Sequence, residues 1–115
     1  EISGLDSFSF QPSSGSHALL VMPSIVRNYF ELKAEEDQRD AIITTIFSHP
    51  SDAAAAKVKG FKIITIHQGP DGLVDIESLK RVVSNRTAAL FITNPEDTGI
   101  FNSKIDQFTK IVYWE

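Results

Sequence analysis

Apolar positions follow two different periods along this chain, and the changes of period mark its elements. Behind a Ser/Gly-rich loop, Leu19, Leu20, Met22, Ile25, Val26, Tyr29, Phe30 and Leu32 recur at helical spacing, which predicts a helix face through about Leu32. The charged run KAEEDQRD, Lys33 to Asp40, reads as a solvated connection. AIITTIF, Ala41 to Phe47, is a continuous β-branched run and predicts a buried strand. Ser51 or Asp52 can cap a short helix through AAAAKVK, which Gly60 ends. FKIITIH, Phe61 to His67, predicts a second strand, and QGPDG supplies turn chemistry. Asp75 caps IESLKRVVS, with Ile76, Leu79, Val82 and Val83 on one face. TAALFIT, Thr87 to Thr93, is a third apolar run ending at NPEDTG. The last helix, from about Ser103, turns Ile105, Phe108, Ile111 and Val112 inward.

Strands alternating with helices predict an α/β fold: a mainly parallel sheet, right-handed crossovers and helices on both faces, in three layers. Ligands of such sheets bind beyond the carboxyl ends of the strands. Those ends are SHPSD, HQGPDG and TNPEDTG here, so a site is expected among them. Pro23 complicates the first helix. It lacks an amide hydrogen and costs about 3 kcal/mol deep inside a helix. The helix is therefore expected to begin near Leu20, with its dipole no longer aimed at the loop around Gly15.

Composition narrows the chemistry. A chain of 115 residues fits one modest domain. Absence of cysteine excludes thiol nucleophiles, disulfides and thiolate metal sites. A net charge of −4 gives no reason to expect nucleic acid or an anionic membrane surface. No apolar run approaches the roughly 18 residues that span a bilayer. The chain opens on Glu1 and closes on the apolar FTKIVYWE, which reads as a partial domain, residues 1–115, of a longer polypeptide.

A few residues could carry chemistry. His49 closes the first strand just before a helix. Ser13, Ser14 and Ser16 offer hydroxyls around Gly15, where the backbone can approach an anion. Thr93 ends the third strand ahead of Pro95. His17 and His67 stand in no pattern, and the histidines and carboxylates lack metal-ligand spacing. NRT, Asn85 to Thr87, matches a glycosylation sequon by chance. None of the seven lysines (Lys33, Lys57, Lys59, Lys62, Lys80, Lys104 and Lys110) is placed at a strand's carboxyl end, where a Schiff base would form. Spacing alone reaches only an α/β domain with anion affinity.

Three segments together carry a resemblance. FSFQPSSG resembles the SFQPNSGAQGE loop of glycine decarboxylase, the pyridoxal-phosphate-dependent P-protein of the glycine cleavage system. SHPSDAAAAKVKGFKI aligns without a gap to that family's AHGTNPASAAMAGYEV segment. DGLVDIESLK and AALFITNPEDTGIF resemble its NGNIDLEALK and AALMLTNPNTLGLF. Order and spacing agree over nearly the whole chain, matching part of the C-terminal half, or subunit 2 where the enzyme is split.

The resemblance implies a fold-type-I enzyme whose large domain binds pyridoxal 5'-phosphate, with the first strand here lying between the third and the second. It assigns Ser14, Gly15 and Ser16 to the phosphate loop, His49 to stacking on the pyridine ring, and Thr93 to the strand end facing the cofactor. It implies glycine as substrate, a lipoyl carrier protein and a partner subunit as partners, and a cytoplasmic or mitochondrial-matrix location. The family's DGAN segment and its HK pair, bearing the Schiff-base lysine, do not occur here, so the isolated chain is expected not to decarboxylate glycine. His17, Ala18 and Leu19 replace a Gln-Gly-Glu, and Pro50, Ser51, Asp52 and Ala53 replace Gly-Thr-Asn-Pro. These departures leave open a non-catalytic paralogue acting as a scaffold. A further alternative is another fold-type-I enzyme such as a class V aminotransferase, against which the Gln-Pro pair argues.

Overall fold

A computed structural model of the chain describes residues 3–113. Among them, β1 (Ala41–Thr45), β2 (Lys62–Ile66) and β3 (Thr87–Phe91) form one parallel sheet in the order β2-β1-β3. Central β1 is buried at every position, as its unbroken apolar run requires when both faces are covered. The α/β class and the central place of the first strand are both as the sequence led us to expect. The strands are shorter than the apolar runs because the chain turns early. The Ser48 N–H donates to the Thr45 carbonyl at 3.1 Å, folding Ile46 and Phe47 into the corner.

A carboxylate gathers the amino ends of all three strands. Asp40 precedes β1 and accepts from the Arg86 guanidinium, with Nε to Oδ1 at 2.9 Å and Nη2 on Oδ2. It also takes Lys62 Nζ at 2.9 Å. The hydrogen bonds from Arg86 and then Lys62 hold its carboxyl at about 2, well below the usual range.

Helices α1 (Gly15–Leu32) and α2 (Pro50–Val58) cover one face, where Ile42, Ala56, Phe61 and Phe91 form the core. Helices α3 (Ile76–Val82) and α4 (Ile105–Tyr113) cover the other, around Ile43, Ile66, Leu79 and Phe108. Asp75 caps α3 as predicted, accepting from the Glu77 and Ser78 amides. Arg27 ties α1 to the end of α2: its guanidinium lies 4.0 Å over the Phe61 ring and donates to the Lys59 carbonyl at 3.3 Å. A cation there complements the carbonyl end of α2.

Two expectations about the helices are corrected. First, α1 begins at Gly15, not near Leu20, and runs through Pro23. The ring is fully buried on the inward side, in helical register with the half-buried Leu19, Val26 and Phe30. Burial there offsets part of the lost Leu19 carbonyl bond. Leu20, Met22, Ile25, Tyr29 and Leu32 are exposed. Second, α2 is capped by His49, not by Ser51 or Asp52. Pro50 suits the first helical position because its fixed φ is helical and no amide hydrogen is needed there, so the helix starts earlier than expected. No helix among the described residues is long and apolar enough to cross a membrane.

Candidate functional site

The start of α1 is a doubly braced cap. Ser14 Oγ accepts the His17 N–H at 3.1 Å, and His17 Nδ1 accepts the Ser13 N–H at 3.2 Å. This is the reciprocal logic of a capping box with an imidazole in the carboxylate's place, and it gives His17 a role that the sequence reading missed. The amides of Gly15 and Ser16 keep no acceptor among the described residues, as expected of first-turn donors. Both residues are exposed, and nothing lies within 4 Å of where a Gly15 Cβ would stand. Free amides at the positive end of an 18-residue helix suit an anion. The dipole therefore does point at the Gly15 loop, contrary to the expectation drawn from Pro23.

His49 and Thr93 meet at the carboxyl edge of the sheet. His49 Nδ1 accepts the Ser51 N–H at 3.2 Å, so the neutral ring carries its hydrogen on Nε2 by assignment from this bond. The ring belongs to an exposed residue at the corner of β1 and α2. Thr93, half-buried, follows β3; its Oγ1 accepts the His49 N–H at 3.4 Å. The Thr93 N–H donates to Ser48 Oγ at 3.2 Å, and that hydroxyl lies 2.8 Å from Thr45 Oγ1. A further stitch runs from the Asp97 N–H to the Phe47 carbonyl at 3.0 Å. Ser48 and Thr45 thus fix the geometry of the corner, a part that no spacing in the sequence announces.

Asp52 stands behind this corner in the first turn of α2, only 6% exposed. Burial pushes its carboxyl above the ordinary range; neighbouring His49 pulls it back, Asp97 adds to the rise, and a hydrogen bond from the Thr93 hydroxyl opposes it. The next loop is clasped by two asparagines: the Asn102 N–H donates to Asn94 Oδ1 at 2.9 Å, and Asn94 Nδ2 to the Asn102 carbonyl at 3.2 Å.

The two helix starts share one boundary. Ser16 and Leu20 of α1, with Ser51, Ala54, Ala55 and Val58 of α2, line an apolar cavity of about 200 Å³. Ser16, His49 and Thr93 are therefore linked through Ser51 along one edge, with Ser14 and Gly15 at the adjoining cap. A larger cavity of about 490 Å³ lies over the β2–α3 turn and the start of α4, lined by groups such as Asp71, Glu77, Lys80 and Lys104. None of the sequence-predicted site residues lines it.

No protein-family model matches the chain. Curated proteins similar to it carry the name "Probable glycine dehydrogenase (decarboxylating) subunit 2". The one from Staphylothermus marinus is 38% identical over 112 residues, 97% of this chain and 22% of that protein. Its counterpart from Treponema denticola is 40% identical over 113 residues, 98% of this chain and 23% of that protein. That from Bacillus cytotoxicus is 38% identical over 113 residues, again 98% and 23%. The chain spans less than a quarter of the length of these curated relatives.

Proposed function

Because the chain belongs to the glycine dehydrogenase (decarboxylating) subunit 2 family, we propose that it forms part of the domain that holds pyridoxal 5'-phosphate in a glycine decarboxylase. The observation that carries this reading is the pair of free amides on Gly15 and Ser16, at the start of a long helix and on the same sheet edge as His49 and Thr93. These groups fit the cofactor's chemistry. The α1 terminus would hold a phosphate through Gly15 and Ser16, with Ser14 shaping the cap. His49 offers an exposed imidazole face to an aromatic ring, and Thr93 ties that imidazole's backbone to β3. When bound, the cofactor supplies the electron sink for decarboxylation; the chain supplies grip and orientation.

In this reading the substrate is glycine, and the aminomethyl group passes to a lipoyl carrier protein. A partner subunit completes the enzyme, in the cytoplasm or the mitochondrial matrix. The 115 residues hold no His-Lys pair, so a Schiff-base lysine has to come from outside them, and the chain alone is not catalytically competent. The test is to titrate the full-length protein with pyridoxal phosphate, following visible absorbance and then glycine-dependent release of carbon dioxide. The expected result is a cofactor band in the full-length protein that Gly15→Asp weakens, since a carboxylate there repels the phosphate. Absence of any band in the parent protein would overturn the cofactor reading and favour a scaffold role.

A further inference from the structure

The ladder between β1 and β3 ends at the pair Thr44 and Phe91. Beyond it, hydroxyl groups take over the holding. The Thr93 N–H donates to Ser48 Oγ at 3.2 Å, and the His49 N–H donates to Thr93 Oγ1 at 3.4 Å. Each strand extension thus accepts an amide of the other, through side chains in place of carbonyls. Ser48 Oγ lies 2.8 Å from Thr45 Oγ1, and the Ser48 N–H donates to the Thr45 carbonyl at 3.1 Å. A hydroxyl has one hydrogen and two lone pairs. Whichever hydroxyl of that couple donates, Ser48 keeps a lone pair for the Thr93 amide. Thr45 is 3% exposed and Ser48 7%, so water competes little here, and a buried amide that loses its acceptor is costly.

We propose that Ser48 is a positioning residue for the ring end of the cofactor site: its hydroxyl locks Thr93 against His49, while the phosphate end at Gly15 and Ser16 is built separately by α1. The inference rests on the cofactor reading above. The family segment aligned with SHPSDAAAAKVKGFKI starts with alanine where this chain has Ser48. Alanine has no oxygen to accept the Thr93 amide, so the clasp is an addition relative to that segment. It stands two residues before Pro50, Ser51, Asp52 and Ala53, where this chain departs from Gly-Thr-Asn-Pro. Buried at the corner, Ser48 acts through Thr93.

The test uses the full-length protein with Ser48→Ala, Ser48→Thr, Thr45→Val and the Thr45→Val/Ser48→Ala pair. Hydrogen exchange of peptides covering 46–52 and 90–96, read by mass spectrometry, reports the clasp directly. Pyridoxal phosphate affinity, read by absorbance titration, reports the ring end. Competition by inorganic phosphate in the same titration reports the phosphate end alone. Ser48→Ala is expected to speed exchange in both peptides and to weaken pyridoxal phosphate about fivefold, the weight of one neutral hydrogen bond. Its affinity for inorganic phosphate is expected to stay unchanged. Ser48→Thr keeps the hydroxyl and is expected to match the parent, and the pair to be no worse than Ser48→Ala alone. Unchanged exchange in Ser48→Ala, an equal loss of pyridoxal phosphate and inorganic phosphate, or additive effects in the pair would each overturn the proposal. If the parent takes up no pyridoxal phosphate, the cofactor reading fails while the exchange results still decide whether Ser48 holds Thr93. Should Ser48→Ala not fold, Thr45→Val makes the comparison: it removes the anchor of the Ser48 hydroxyl and is expected to speed exchange in the 90–96 peptide, and unchanged exchange there would overturn the clasp.

Discussion

Asp40 and Asp52 sit at opposite edges of one sheet and respond to the fold in opposite ways. Asp40 meets Arg86 and Lys62, and its carboxyl drops from 3.8 to about 2. Asp52 is buried beside a second acid, Asp97, and its carboxyl rises. A depressed acid adds stability that is present above the unfolded value and is lost as pH falls through the folded one. For Asp40 that window lies between about 4 and 2. Asp52 works the other way: its contribution is present below the unfolded value and is lost as pH rises through the folded one. Asp40→Asn is accordingly expected to lower unfolding free energy at pH 7 by about 1 kcal/mol, once solvent screening at this partly exposed corner is allowed for. The variant should also flatten the loss of stability below about pH 4. Denaturant unfolding at a series of pH values checks both, and an unaltered acid limb would show that the clamp contributes nothing.

Among the elements, the strands and the short helices were legible because their signals are local. AIITTIF can bury both faces, Asp75 can cap only forwards, and the turn residues of QGPDG leave little choice. For the first helix, proline's local cost taken without its burial points to a later start than the structure shows. Pro23 sits inside α1 with its ring buried, and nothing in the spacing distinguishes the inward Leu19, Val26 and Phe30 from the outward Met22, Ile25 and Tyr29. The candidate site divides in the same way. His49, Thr93 and the serines at Gly15 can be picked out as candidates by type and place, whereas the parts of Ser48 and Thr45 depend on contacts between distant segments. Pro23→Ala tests the energetics of the helix. Restoring the amide and removing the ring's clash gains about 3 kcal/mol, and deleting two buried methylenes loses about 1.6 kcal/mol. A net stabilisation of about 1 kcal/mol is expected, seen as a higher denaturant midpoint with an unchanged slope. Destabilisation instead would mean that the ring's packing outweighs the missing bond.

For the molecule as a whole, the distribution of apolar surface is uneven. Met22, Ile25, Tyr29 and Leu32 recur at spacings of three, four and three along α1, and all are exposed, Leu32 at 89%. Phe8 and Phe10 add aromatic surface in the preceding segment, with Phe10 at 91%. The outer strands β2 and β3 each pair on one side among the described residues, which leaves backbone edges able to recruit other chains. A stripe of this kind is wide enough to drive association when water is its only neighbour. The matched relatives extend far beyond these 115 residues, so surface exposed here need not be exposed in them. The isolated chain is expected to associate as its concentration rises, with a weight-average mass in sedimentation equilibrium above 12.7 kDa. Ile25→Ser with Leu32→Ser should return that mass toward the monomer without altering the circular dichroism, because both side chains lie outside the core. A parent chain that stays monomeric at high concentration would show that the stripe is tolerated in water. Association that survives both serines would place the contact at the sheet edges instead, where a charged residue at Thr65, exposed on β2, is the change expected to suppress it.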